Sequence, residues 1–489
     1  MTAQISRRSM LKIAGTAAGA AGLGVGTGTV ATPAAAAGDA YAHPGLLHTA
    51  ADLARMAAKV KAGAAPYTAG FARLTANAHA QSSWTARPAA TVHRGGGTPQ
   101  NYAALYKDVH AAYQNALRWH VTGVSAHADT AVRILNAWSA TLTAVRGSAD
   151  RFLAAGLYGY QFANAAELVR DHPDLDLDRF TVMLTEVFAT LSDDFLLHHN
   201  GAVVTNYWPN WDLANMACVL ATGIFCDDRA RVARAVDYFK NGDGLGAVGK
   251  AIPVVHDDGL GEWLEAGRDQ GHALLGVGLM GALCEMAWNQ GIDLYGHDDD
   301  RFLKGAQYVA KWSLGGEVAY TANTRAKGAV DGWSGRETAS DAAGVDPNMR
   351  RPIWAMIAHH YTGRRGLDAS YLTRAAAKAA PEGGGGDYGP DSGGYDQLGF
   401  GTLAFTRDAE QTASTSTSPS AGDSSSSSPS PSGGASTGAR GGRSGRGEDL
   451  AATGISDVPA WTAAGGLAAL AGGLLLLRRR DRDRGRPES

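Results

Sequence analysis

The sequence predicts an all-α domain built from consecutive helix pairs. Three observations carry this. Apolar residues recur at 3–4 spacing through Tyr102, Leu105, Tyr106, Val109, Tyr113 and Leu117, then Phe180, Met183, Leu184, Val187, Phe188 and Leu191, and again Phe302, Leu303, Ala306, Val309 and Trp312. Breaks fall between such runs at Gly147-Ser148, His172-Pro173, Asn241-Gly242-Asp243-Gly244 and Gly363. No alternating apolar pattern is sustained before residue 380, so strands are not expected there. About ten to twelve helices result, with Asp178 and Asp299 placed for N-caps or acidic first turns. Consecutive helices with short links pack as antiparallel hairpins. A long series of hairpins curls into an α/α toroid, an incomplete barrel, or into a superhelix, with the inner helix ends forming a groove. The Gly/Asp/Tyr-rich stretch from Gly383 to Phe405 reads as irregular or as a short hairpin.

The two ends read differently. Ser6-Arg7-Arg8-Ser9-Met10-Leu11-Lys12, an Ala/Gly-rich run and the small residues Ala34–Ala37 have the layout of a twin-arginine export signal over 1–38. The helical domain then spans 39–407. Residues 408–449 are dominated by Ser, Gly, Thr and Pro, a composition that buries too little apolar surface to fold and reads as a disordered linker. Within 450–489, Leu450-Ala-Ala-Thr-Gly454 precedes an apolar run over 461–477, read as a transmembrane helix. Arg478-Arg479-Arg480 follow it. This order resembles a sortase cell-wall sorting signal. The resemblance implies cleavage between Thr453 and Gly454, attachment to peptidoglycan, and the twin-arginine translocase and sortase as partners. The expected location is the surface of a Gram-positive cell.

A formal net charge of −3 gives no nucleic-acid footprint. The cysteines, Cys218, Cys226 and Cys284, lack metal-knuckle spacing. A Cys218–Cys226 disulfide is one reading, and three small buried hydrophobes the other. His256-Asp257-Asp258 has no second cluster to make a metal site with it.

Two segments concentrate polar chemistry. Thr205-Asn-Tyr-Trp-Pro-Asn-Trp-Asp-Leu-Ala-Asn215 heads a helix, with Pro209 at its start and Asn210 as a candidate cap. Capping accounts for one asparagine but not for Tyr207, Trp208 and Trp211. Aromatic faces beside amides suit a sugar groove, although at least one of these tryptophans is expected in the core. Glu265, Arg268, Asp269 and His272 fall at i, i+3, i+4 and i+7, one face of one helix, with glycines at 261, 267, 271, 276, 278 and 281 for close packing. Either they line a cleft or they form an internal ladder, Glu265–Arg268 plus Asp269–His272. In both cases the carboxylates orient the bases rather than react. Arg325 and Arg336 lie in a polar loop region, and His360 and Tyr361 end a third segment from Arg350.

Asn-Trp-Asp at 210–212, Glu-x-Gly-Arg-Asp-Gln-Gly-His at 265–272 and Arg-Pro-Ile-Trp…His-His-Tyr at 351–361 together resemble the alginate lyase superfamily of α/α-toroid polysaccharide lyases, over about residues 43–375. The resemblance implies β-elimination on an acidic, uronic-acid-containing polysaccharide with no metal and no organic cofactor. It implies Asn210, His272 and Arg268 at the substrate carboxylate, and Tyr361 as proton carrier with Tyr207 second. Tyr207, Trp208, Trp211, Glu265, Asp269 and Arg325 would bind substrate. Trp211 follows Asn210 where the best-known alginate lyases have Asn-Asn-His, so the polymer is left open between alginate-like and glucuronan-like. Two other readings stand beside the lyase. One is an α/α-barrel glycoside hydrolase using two of Glu265, Asp269, Asp212 and Glu262; the other is a non-catalytic glycan-binding surface protein.

Overall fold

A computed structural model describes residues 40–96, 99–328 and 334–407. The export signal, linker, apolar run 461–477 and Thr453–Gly454 lie outside the described residues. Helices α1 (Ala50–Lys61) and α2 (Tyr67–Ala76) lead into α3 (Tyr102–Thr122) and α4 (Ser125–Thr141). Then come α5 (Asp150–Glu167), α6 (Leu177–Met183) and α7 (Thr190–His198), the last two joined by a π-helical turn. α8 (Pro209–Phe225), α9 (Arg229–Asn241) and the short α10 (Val248–Ala251) follow. α11 (Gln270–Trp288), α12 (His297–Ser313), α13 (Trp354–His359), α14 (Ser370–Ala379) and α15 (Gly401–Ala404) complete the helices. The helical expectation holds, although short helices raise the count among the described residues above ten to twelve.

Burial sorts the helices into two layers. α8 and α11 are buried on every side, and α5 nearly so, as expected of helices apolar all round. α9 buries only Val232, Ala235 and Phe239, and α14 only Leu372 and Ala375, single stripes on otherwise polar helices. Gly156 of α5 lies against Ala214 of α8, and Gly159 against Cys218, so contacts advance together and the two helices run parallel. α5 and α11 also end together, Asn164 Nδ2 lying 3.4 Å from Met286 Sδ. The inner helices therefore present their N-termini at one end of the molecule. On α11, glycine is required where neighbours press in: a Cβ on Gly278 would lie 2.7 Å from Ile353.

Three small sheets depart from the sequence expectation. β1 (Thr91–Arg94) pairs in parallel with β2 (Ala144–Gly147), and β3 (Val254–Val255) pairs antiparallel with β4 (Gly261–Glu262). β5 (Asn323–Gly328) and β6 (Ser334–Ala339) form an antiparallel hairpin, Arg325 opposite Glu337. Both hairpin strands are polar on both faces, so no period of two marks them. The proposed disulfide does not form. Cys218, Cys226 and Cys284 are free, and Cys218 and Cys226 stand eight residues apart along one helix, roughly 12 Å at 1.5 Å per residue.

The Gly-rich stretch 383–400 is irregular, one of the two readings of its sequence, and it is firmly packed. Its carbonyl at Tyr395 accepts hydrogen bonds from His110 Nε2 at 2.8 Å and Gln161 Nε2 at 2.9 Å, and Tyr160 donates to the carbonyl of Asp396. It plugs the space between α3, α5 and α11. Buried Glu382 anchors it, accepting from the backbone N–H groups of Trp354 and Ala355 at the start of α13. Glu382→Ala leaves those two donors unpaired, at about 1–3 kcal/mol each. Urea unfolding should show a lower midpoint with an unchanged slope, and Glu382→Gln should recover most of the loss.

Candidate active site

The N-termini of α8 and α11 meet at one carboxylate. Asn210 is the second residue of α8, behind Pro209 at the first turn; Trp208, not Asn210, takes the cap position. Asn210 Nδ2 donates to Glu265 Oε1, and its backbone N–H donates to Glu265 Oε2 at 3.3 Å. A carboxylate there meets the positive end of the helix dipole. Arg268 Nη1 donates to the same Glu265 Oε1 at 3.0 Å.

Glu265, Arg268, Asp269 and His272 do not share one helix face. Glu265 lies in a 3-10 turn over Leu264–Gly267, and the chain is extended at Asp269, which N-caps α11. That turn carries Glu265 across to α8. Asp269 accepts from the His272 backbone N–H at 2.8 Å and holds His272 Nδ1 at 2.6 Å; Arg268 Nε lies 3.5 Å from it. Asn210, Glu265, Arg268, Asp269 and His272 thus form one continuous chain of polar contacts. Both pairs of the ladder, Glu265–Arg268 and Asp269–His272, are present, and they join α11 to α8.

Two atoms in this chain have no partner. His272 Nε2 and Asn210 Oδ1 are buried and unpaired. Burial pushes the His272 pKa below its ordinary value, against the Asp269 hydrogen bond, which raises it. Neutral His272 with its Nδ1 proton on Asp269 leaves a lone pair on Nε2. Burial also acts to raise Asp269, but the hydrogen bonds from the His272 side chain and backbone and the Arg268 charge hold it at about 2. Glu265 is wholly enclosed, and burial drives it up to about 7 although Arg268 opposes this.

A wall stands beside this chain. The half-buried Trp208 ring has the Arg325 guanidinium 4.2 Å and the Arg268 guanidinium 5.7 Å from its centroid. Arg325 comes from β5 and is tied to the carbonyls of Thr205 and Asn206 and to Glu337. The hairpin thereby delivers a cation to the face of Trp208.

Three nominated residues lie elsewhere. Trp211 is 1% exposed and packs on Phe195 and Tyr207 in the core. Tyr207 is buried with it, its hydroxyl accepting from Asn200 Nδ2 at 3.2 Å. Tyr361 is fully buried, donates to the carbonyl of Tyr295 and packs against that ring. Tyr295 in turn donates to the carbonyl of Gly281, nine residues along α11 from His272, or roughly 14 Å. Tyr361 therefore belongs to the core beyond the middle of α11, not to its N-terminus. Its apolar helical setting is the physical reason.

The structure adds residues that sequence reasoning missed. Arg351 donates to the carbonyl of Gly271, next to His272, and pairs with Asp396 at 2.6 Å. Arg94, 3% exposed, sits 5.2 Å from the Tyr102 ring, with Nη1 3.4 Å from the Tyr158 hydroxyl. The motif Arg-Pro-Ile-Trp contained Arg351, but nothing in the Gly-rich tail marked Asp396. The carboxylates that a hydrolase would use are committed. Asp212 holds His199 and the N–H of Gly246 on another side of α8, and Glu262 accepts from Thr321 N–H and lies 3.2 Å from His256. Among the described residues no cluster could hold a metal ion.

Helix N-termini, the Arg268 and Arg325 guanidiniums and an imidazole with one unpaired nitrogen thus meet in one region of the molecule. The alginate lyase family model matches residues 56–319, and the chain belongs to that family, a family of polysaccharide lyases. Among solved structures the chain is similar to an alginate lyase from Bacteroides ovatus, at 14% identity over 56% of this chain and 83% of that one, with a TM-score of 0.41. It is also similar to alginate lyase A1-III from Sphingomonas species A1, at 12% identity over 73% of this chain and 95% of that one, with a TM-score of 0.44. A tetrasaccharide complex of alginate lyase A1-III gives 14% identity, 73% and 94% coverage, and a TM-score of 0.45. No curated protein matches the chain.

Proposed function

We propose that the protein cleaves a uronic-acid polysaccharide by β-elimination, with His272 as the base. The observation that carries this is the unpaired His272 Nε2, held neutral by burial and fixed in tautomer by Asp269. In this reading Arg268, with Arg325 behind it on Trp208, pairs with the substrate carboxylate, and Asn210 hydrogen-bonds it. Charge developing at that carboxylate is where preorganised donors act most strongly. The C5–H bond breaks toward Nε2, the C4–O bond breaks, a 4,5-double bond forms, and the proton then held on Nε2 is available to the leaving oxygen. Asn210 donates only if its amide turns over. Glu265, protonated near neutral pH, then supplies the hydrogen bond to Oδ1 and frees Nδ2.

Parallel inner helices with outer returns support reading the domain as an α/α toroid over 39–407. The twin arginine, the pentapeptide ending in Thr453 and Gly454, and the apolar and basic segments after it support export and attachment at a Gram-positive surface. The test is an ultraviolet assay of the purified enzyme on alginate, glucuronan, hyaluronan and heparosan. Rising absorbance from the unsaturated product is expected on at least one. Reducing ends appearing on a glycan with no absorbance would overturn the elimination.

A further inference from the structure

A surface hollow lies away from the α8–α11 junction. A hollow of about 320 Å³ is lined by Ala78, Gln81, Ser83, Trp84, Thr85 and Arg87, within the size range of ligand pockets. A 3-10 turn over Ala78–Ala80 leads into the loop that makes the rest of it, and that loop is braced from beneath. Asp108, wholly buried, accepts from Trp84 Nε1 at 2.9 Å, from the backbone N–H of Arg87 at 2.6 Å and from Trp138 Nε1 at 2.9 Å. His79 packs against the indole with centroids 4.7 Å apart. The Trp84 ring is thus fixed in direction, and its only N–H is spent inward. What it offers a ligand is an apolar ring rather than a donor.

Cations gather on the same loop. Arg87 lines the hollow and is exposed. Arg118 reaches in to the carbonyl of Ala80 at 2.8 Å and to Gln81 Oε1 at 3.3 Å, and Arg133 lies 3.4 Å from the carbonyl of Ser82. Asp108, the carboxylate bonded to this loop, is enclosed and committed to its three N–H donors. The Gln81 amide is spent on the carbonyls of Thr75 and Asn77 and on Arg118, but a rigid indole, an exposed guanidinium and the hydroxyls of Ser83 and Thr85 fit a sugar ring that carries a carboxylate.

We propose that this hollow is an accessory site for a uronic-acid-bearing oligosaccharide, with Trp84 stacking on a sugar face and Arg87 pairing with a carboxylate. The proposal rests on the uronan reading of the substrate. The hollow is separate from the His272 site, since the buried row His79, Tyr395, Asp396 and Arg351 lies between them. Occupancy there holds polymer to the enzyme without touching the reacting atoms.

The test is affinity electrophoresis of the full chain carrying His272→Ala, in gels containing alginate or glucuronan, with a neutral glucan as control. Retardation by a uronan and none by the glucan is expected. Arg87→Glu, at an exposed position that should not disturb folding, and Trp84→Ala should each weaken retardation about tenfold, and more salt should weaken it further. In the enzyme with His272 intact, the same two substitutions should leave kcat on short uronic-acid oligosaccharides unchanged and raise KM for polymer. Undiminished retardation in Arg87→Glu, or a parent that no uronan retards, overturns the accessory site. Failure of the lyase reading shows separately, as wild-type enzyme producing no unsaturated product while the gels still report binding.

Discussion

His272→Ala should lower uronan turnover by about 10²–10⁴-fold, the usual worth of a positioned general base, and leave the fold intact. The imidazole has one bonded nitrogen and one free. Its removal does not uncap α11, because Asp269 still accepts the backbone N–H of residue 272. The pH profile carries a sign. A base must be neutral, and burial lowers the His272 pKa below its ordinary value against Asp269. Activity should therefore rise with pH through an apparent pKa below that of a free histidine. Asp269→Asn removes the opposing interaction, so this limb should move further toward acid while the rate falls as the tautomer is lost. Turnover in His272→Ala within a few-fold of wild type would remove the imidazole from the chemistry.

Glu265→Ala should damage both stability and activity. The carboxylate holds Asn210 through side chain and backbone and Arg268 through its guanidinium, at a site with no solvent to replace it. Removing one member of a buried pair costs about 3–5 kcal/mol, because the other is left uncompensated. Glu265→Gln keeps the shape and one acceptor, and should fold better than the alanine variant. Burial raises Glu265 to about 7 in the folded state. Between the ordinary carboxylate pKa and about 7, the native state holds a proton that the unfolded chain has lost. Stability contributed by this group is thus present at lower pH and is lost as pH rises through that window. Urea unfolding at pH 5 and pH 8 should show a smaller difference in Glu265→Gln than in wild type. Buried Glu382, also raised to about 7, and Asp396, raised to about 6, act in the same sense, whereas buried His48 and His79, lowered to about 4, and His110, lowered to about 3, act in the opposite sense below the ordinary histidine pKa. The comparison with Glu265→Gln isolates the one group. An unchanged pH dependence would place the titrating proton elsewhere.

Much of the candidate site was legible because its residues cluster along the chain. Asn210 and Trp208 head one helix, and Arg268, Asp269 and His272 lead into another, so local density of polar groups marks both. The tyrosine was misplaced for the opposite reason. Tyr361 ends an apolar helical run, and its hydroxyl meets the carbonyl of Tyr295 inside the core, a contact that no spacing reveals. Trp211 looked like a sugar platform, but one helical step from Asn210 turns it into the core beside Phe195. Arg325 was visible as a charge in a polar loop. Its placement over Trp208 depends on a hairpin with no apolar alternation to announce it.

By itself the sequence determined the helical class, the helices built on 3–4 periodicity and the two polar segments, because periodicity and local composition are properties of neighbouring residues. Tertiary structure alone decided that Glu265 crosses to Asn210, that Arg351 joins Asp396 beside His272, and that Trp84 is braced by Asp108. Each of those contacts links residues far apart in the chain, and only packing brings them within hydrogen-bond reach.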